Sequence, residues 1–139
     1  MATMRTIDTS WSPLRMISSA KRPYLVIVRT GEQSIHKRWP KDLISQDRNW
    51  DLLISHYGKN EPGCPDAEVI IRQGGFKYCA CFRLFQDMTW LDQYRAVCFC
   101  DDDIMTSWST LNRVFEIFDQ YELALAQPSE LAPENWTGS

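Results

Sequence analysis

The chain has 139 residues, 44% of them hydrophobic and 24% charged, with six tryptophans to fill a core. That composition suits one globular domain and excludes a collagen-like, mucin-like or wholly disordered chain. A formal net charge of -3 argues against non-specific nucleic-acid binding, and no apolar run approaches the roughly 20 residues of a membrane-spanning helix.

Residues 1–23 carry Arg5, Arg15, Lys21 and Arg22 against Asp8 alone, among many Ser and Thr. They read as a disordered leader, with an organellar transit peptide as the alternative. Five cysteines is an odd number, and the N-terminus has no apolar signal region. Both point to free thiols in a reducing, cytoplasmic setting.

Residues 24–28, Tyr-Leu-Val-Ile-Val, form a continuous apolar run closed by Arg29-Thr30-Gly31. Continuous rather than alternating apolarity predicts a strand covered on both faces, as in a parallel sheet. Residues 32–49 are polar and predict a crossover. Residues 50–57 predict a second strand stopped by Gly58, and the Pro- and Gly-bearing residues 59–66 a loop. Residues 67–71 predict a short third strand ended by Gly74-Gly75. From residue 76 to about 93, Tyr78, Phe82 and Phe85 fall on one helical stripe, with Cys81, Leu84, Met88 and Leu91 beside it. Residues 95–100 predict a buried fourth strand that runs into Asp101-Asp102-Asp103. A second helix over about 107–120 follows from Trp108, Leu111, Phe115 and Phe118. Residues 123–126 predict a last strand before Gln127-Pro128. This order predicts an α/β fold, an open and mostly parallel sheet with flanking helices.

In such sheets ligands bind beyond the carboxyl ends of the strands. Three aspartates at a strand end repel one another unless a cation compensates. On an extended backbone Asp101 and Asp103 share a side and Asp102 faces the other. Two hard oxygen donors suit Mg2+ or Mn2+, completed by water and substrate phosphate. The alternative is a solvated acidic loop that favours the next helix N-terminus. Arg29 and Lys77 are candidate anion partners, or else surface charges at element ends. Gly74-Gly75 lacks the rest of a phosphate-loop pattern. The C-x-C pairs Cys79/Cys81 and Cys98/Cys100 have the wrong spacing for structural zinc. His36 and His56 pair with no nucleophile that the sequence can place.

Taken together, Leu25-Val26-Ile27-Val28-Arg29-Thr30-Gly31, Trp50-Asp51-Leu52-Leu53-Ile54-Ser55-His56-Tyr57-Gly58, Gly74-Gly75-Phe76-Lys77, Cys100-Asp101-Asp102-Asp103-Ile104, Leu111-Asn112-Arg113-Val114-Phe115-Glu116-Ile117-Phe118 and Leu125-Ala126-Gln127-Pro128 resemble a family. It is the uncharacterised glycosyltransferase-like proteins of bacteria and plants that carry a D-x-D motif on a GT-A-type fold. The resemblance spans residues 24–131, leaving a leader at 1–23 and a flexible tail at 132–139. It implies the Rossmann-like, nucleotide-sugar-binding half of a GT-A glycosyltransferase. Its cofactor would be Mn2+ or Mg2+ on Asp101 and Asp103, with Asp102 in support. Arg29, Thr30 and Gly31 would lie near the nucleotide of a nucleoside diphosphate-sugar, and Lys77 near its phosphates or sugar; the acceptor is unspecified. Cys79 departs from the family, which usually has Pro there. Family members also continue well beyond Gln127-Pro128, so the resemblance implies a truncated transferase whose exposed sheet edge invites self-association. Two alternatives stand beside it. One is a phosphoryl-transfer enzyme of the haloacid-dehalogenase type, against which Met105 counts. The other is a non-catalytic interaction module.

Overall fold

The computed structural model describes residues 8–122. Five strands form one mixed sheet flanked by two helices, an α/β arrangement. In chain order these are β1 (Trp11–Arg15), β2 (Tyr24–Thr30), β3 (Trp50–His56), β4 (Val69–Gln73), α1 (Lys77–Asp87), β5 (Ala96–Asp101) and α2 (Trp108–Gln120). The strand order is β1-β4-β3-β2-β5. The pairings β4–β3, β3–β2 and β2–β5 are parallel, and β1 adds antiparallel to β4.

Every residue of β2 and β3 is buried, which explains the apolar runs at residues 24–28 and 52–54. Successive side chains alternate between two cores. On one face Val26, Val28, Leu52 and Ile54 meet Trp108, Leu111 and Phe115 of α2. On the other, Leu25, Ile27, Leu53 and Ile71 meet Cys81, Leu84 and Met88. The crossover at residues 32–49 is built from short 3-10 turns, His36–Arg38 and Ser45–Asp47. Ser107 caps α2 by accepting the Thr110 N–H. The Tyr24 and Phe115 rings stack with centroids 4.6 Å apart.

Three elements differ from the sequence reading. Within the expected leader, β1 is a strand with one half-buried and four exposed residues. Pro13 sits in it without breaking the sheet because it lies on an edge. The first helix ends at Asp87 and continues as a 3-10 turn, Thr89–Gln93. Its buried stripe is Ala80, Cys81 and Leu84, while Tyr78 and Phe82 are 74% and 67% exposed. Small side chains at 80 and 81 let the helix backbone approach the sheet, which turns the bulkier rings outward. Third, β5 is an edge strand among the described residues and is only partly buried. The strand predicted at residues 123–126, together with Gln127 and Pro128, lies outside the described residues. No helix among the described residues is long and apolar enough to cross a membrane.

The amino-terminal end of the sheet is held by a buried carboxylate. Asp51 is wholly inaccessible. Its Oδ2 accepts from the Lys21 N–H (2.9 Å), the Arg22 N–H (3.3 Å) and the Tyr94 hydroxyl (2.6 Å), and its Oδ1 from Arg22 Nη1 (3.0 Å). Arg22 also reaches Glu68 Oε1 at 2.8 Å, which Arg48 shares. Burial, and then the bond to Asp51, pushes the Tyr94 phenol far above its ordinary pKa. A cleft of about 390 Å3 opens at this end, lined by Arg15, Lys21, Arg22, Arg48, Asp66 and Glu68 among others. Arg22 and Arg48 there are committed to the protein's own carboxylates.

Candidate functional site at the carboxyl end of the sheet

The strand order places β3 and β5 on opposite sides of β2. The chain leaves β2 toward β3 on one side and reaches β5 later on the other. At such a reversal the carboxyl ends of the strands are the usual ligand position of open α/β sheets. In register, Arg29 stands beside Ser55 and Asp101, and Thr30 beside His56. The residues singled out from sequence on β2 and β5 therefore meet at one rim.

Asp102 is the most tightly held carboxylate there. Its Oδ2 accepts from the Gly31 N–H at 3.2 Å and from the Tyr57 hydroxyl at 3.0 Å. Its carbonyl accepts from the Ile35 N–H at 2.8 Å, tying the rim to the start of the crossover. Burial, and then the bond to Asp102, raises the Tyr57 phenol pKa. Tyr57 lies directly over Gly31: a Cβ at that position would fall 2.7–2.9 Å from the phenol oxygen and ring carbons. Only glycine admits the ring this close to the backbone.

Asp101 accepts an ion-pair hydrogen bond from Lys77 Nζ at 2.6 Å. That bond is the main cause of the raised Lys77 pKa. Lys77 opens α1 just after Gly75, whose φ of 89° requires glycine in the turn that aims the lysine. Asp103 is exposed.

Arg29 points elsewhere. Its guanidinium is buried on the α1 side of the sheet. Nη1 donates to Ser55 Oγ (2.9 Å) and to the Gln73 carbonyl (2.6 Å), and Nη2 to the Gly75 carbonyl (2.5 Å). Its carbon lies 5.0 Å from the centre of the Tyr57 ring. Burial lowers its pKa, and the guanidinium stays charged. Arg29 braces β3, β4 and the turn before α1, and so supports Tyr57 and Lys77 from beneath.

Thr30 is buried too. Its Oγ1 lies 2.7 Å from His56 Nδ1, and His56 Nε2 lies 2.9 Å from both the carbonyl and the Oδ1 of Asn60. Two acceptors at Nε2 assign the ring proton there, so Nδ1 accepts the Thr30 hydroxyl. Beside them a cavity of about 20 Å3, room for a single water, is bordered by Gly31, Ser34, His36 and His56. His36 Nδ1 lies 2.6 Å from Ser34 Oγ, and its Nε2 is buried without a partner. Burial chiefly, with Lys37 next, pushes the His36 pKa down to about 4.

Sequence reasoning gave no role to Tyr57, His36 or His56. Tyr57 carried one signal, its place at the end of an apolar strand just before Gly58. Both histidines meet their partners only through tertiary contact.

The acidic tip offers oxygen donors alone, the class that Mg2+ and Mn2+ take. Among the described residues no three His, Cys, Asp or Glu side chains converge as a ready cation cage. The donor set fits a hard cation held by one or two carboxylates, with water and phosphate completing its shell. Asp103 and the Oδ1 of Asp102 face no protein donor among the hydrogen bonds of the described residues. Comparison of the chain with family models, curated proteins and solved structures finds no match.

Proposed function

We propose that the rim formed by the carboxyl ends of β2 and β5 binds a nucleoside diphosphate-sugar together with Mg2+ or Mn2+, as the donor half of a GT-A-like glycosyltransferase. One observation carries this reading: the acidic tip of β5 lies where the strand order reverses, with Asp102 bonded to the backbone N–H of Gly31 at the tip of β2. In the proposal Asp101 and Asp103 hold the cation, and Asp102 keeps the tip in position. The backbone of Thr30 and Gly31 borders the nucleotide. Arg29 acts from beneath, as the brace of Tyr57. Lys77 exchanges its bond to Asp101 for one to the diphosphate, adding positive charge where the leaving group forms. When bound, the cation supplies charge neutralisation of that leaving diphosphate.

The test is calorimetric titration of the full chain with UDP and GDP, with and without Mn2+, repeated on Asp103→Ala. Binding that needs Mn2+ and is lost in the variant supports the proposal. Absence of binding to either nucleotide in the presence of Mn2+ refutes it. Phosphatase activity abolished by Asp101→Asn would replace it with a phosphoryl-transfer reading.

A further inference from the structure

We propose that the cleft at the amino-terminal end of the sheet binds a phosphate dianion, free or as the monoester of a small molecule. Its volume of about 390 Å3 lies within the range of small-molecule sites. Four basic side chains line it, Arg15, Lys21, Arg22 and Arg48, against two acidic ones, Asp66 and Glu68.

The surplus of positive charge has a definite place. Arg22 and Arg48 both donate to Glu68 Oε1, and Arg22 also pairs with the buried Asp51, so these four charges cancel. Asp66 pairs with Lys41 at 2.5 Å. Arg15 is held differently. Its Nη1 donates to the carbonyls of Cys64 (2.9 Å), Pro65 (3.2 Å) and Ala67 (2.9 Å). Carbonyl oxygens fix a guanidinium in place without cancelling its charge. The register of β1 on β4 shifts between Pro13 and Arg15, and an irregularity of this kind re-aims a side chain; here it brings Arg15 onto the 64–67 loop. Lys21 supplies the second charge. Its backbone N–H is pinned by Asp51 Oδ2 at 2.9 Å, so the network that holds this end of the sheet also fixes where the lysine side chain starts.

Two positive charges match the two negative charges that a phosphate monoester carries above its second pKa of about 6. Arg15 brings planar donors suited to phosphate oxygens, and Lys21 a compact charge. Met16 and Ile17 add apolar surface to the lining, which suits the carbon body of a small ester.

Calorimetric titration of the full chain at about pH 7.5 and low ionic strength, with a chelator and no divalent cation, tests this. The probes are inorganic phosphate and glucose 6-phosphate. Both are expected to bind; tighter binding of the ester assigns the cleft to a phosphorylated small molecule, and equal binding to the free ion. Lys21→Gln should weaken both by about tenfold, and Arg15→Gln by at least as much. Arg113→Gln, which removes the same charge from the exposed face of α2, should change neither. Lys21→Gln keeps the backbone bonds to Asp51, so its reading stands even where Arg15→Gln loosens the 64–67 loop. No heat and no rise in melting temperature with either probe at about 10 mM overturns the inference. Equal affinity in the wild type and Lys21→Gln does so as well, and so does a loss that Arg113→Gln reproduces. Loss in Lys77→Ala with Lys21→Gln unaffected also overturns it and moves the anion to the carboxyl rim. No arm contains Mn2+ or a nucleotide, so failure here is distinct from failure of the proposed function.

Discussion

Removing the carboxylate of Asp51 should destabilise the whole domain. Asp51→Ala deletes four hydrogen-bond acceptances, from two backbone N–H groups, a guanidinium and a phenol. The Lys21 and Arg22 amides and the Tyr94 hydroxyl lose their partner, and Arg22 keeps only Glu68 and the Ser45 carbonyl. Stripping one partner from a buried ionic network costs about 3–5 kcal/mol. Total stability for such a domain is on the order of 5–15 kcal/mol, so the loss is a large fraction. It corresponds to a fall in melting temperature of roughly 10–20 °C. Urea denaturation at 25 °C, followed by tryptophan fluorescence, reads it as a lower midpoint at unchanged slope. Tyr94→Phe removes one of the four bonds and should cost about 1–2 kcal/mol. The Asp51→Ala/Tyr94→Phe double variant should then cost less than the two single losses combined, because one bond is shared. A loss below about 1 kcal/mol in Asp51→Ala would refute the reasoning.

Other outcomes follow from the carboxyl rim. Gly31→Ala must push the exposed Tyr57 ring aside and break its bond to Asp102; stability should change by about 1 kcal/mol, while the Tyr57 phenol pKa, followed by ultraviolet titration, returns toward its ordinary value. Lys77→Ala should leave the melting temperature within about 3 °C, since exposed ion pairs contribute little, but weaken Mn2+-dependent nucleotide binding by about tenfold. His36 is held neutral in the fold, with its pKa at about 4 against 6.5 when unfolded. The unfolded chain therefore takes up a proton that the folded chain refuses. This contribution, up to about 3 kcal/mol, is complete above pH 6.5 and is lost as pH falls toward 4. Urea midpoints measured from pH 7.5 to 4.5 should show this slope in the wild type and a shallower one in His36→Gln.

The central strands were legible because residues 24–28 and 52–54 are apolar on both faces, and that pattern survives any detail of packing; the buried Asp51 between them left no such mark. Helix α2 was legible for a related reason: Trp108, Leu111 and Phe115 recur at helical spacing, and all three are buried. Strand β1 left no such trace. Its residues, with Ser12, Pro13 and Arg15 among them, are recruited by the free edge of β4, which is a tertiary event. The stripe of α1 was misjudged by one position because aromatic bulk outweighed the small residues that allow close approach. The continuous apolarity of β5 predicted full cover, yet the described part of the sheet leaves it on an edge.

At the rim, the sequence brought Gly31, Lys77 and the aspartates to one end of the sheet through strand order alone. It could not tell which charges were free. Arg29 has a strand-end position typical of an anion partner, and its three donated bonds go to the protein instead. Asp102, the middle residue, is the one fastened to the neighbouring strand, because Gly31 and Tyr57 lie on its side. Such partners sit tens of residues away and leave no periodic mark.

The Asp51 network and the acidic rim stand at opposite ends of the same parallel strands. The rim can therefore be recoded by substitution without melting the scaffold beneath it, and the scaffold can be hardened without blunting the rim. A library confined to positions 57, 77 and 101–103 would vary the charge and shape of the rim on a frame whose cohesion is settled elsewhere.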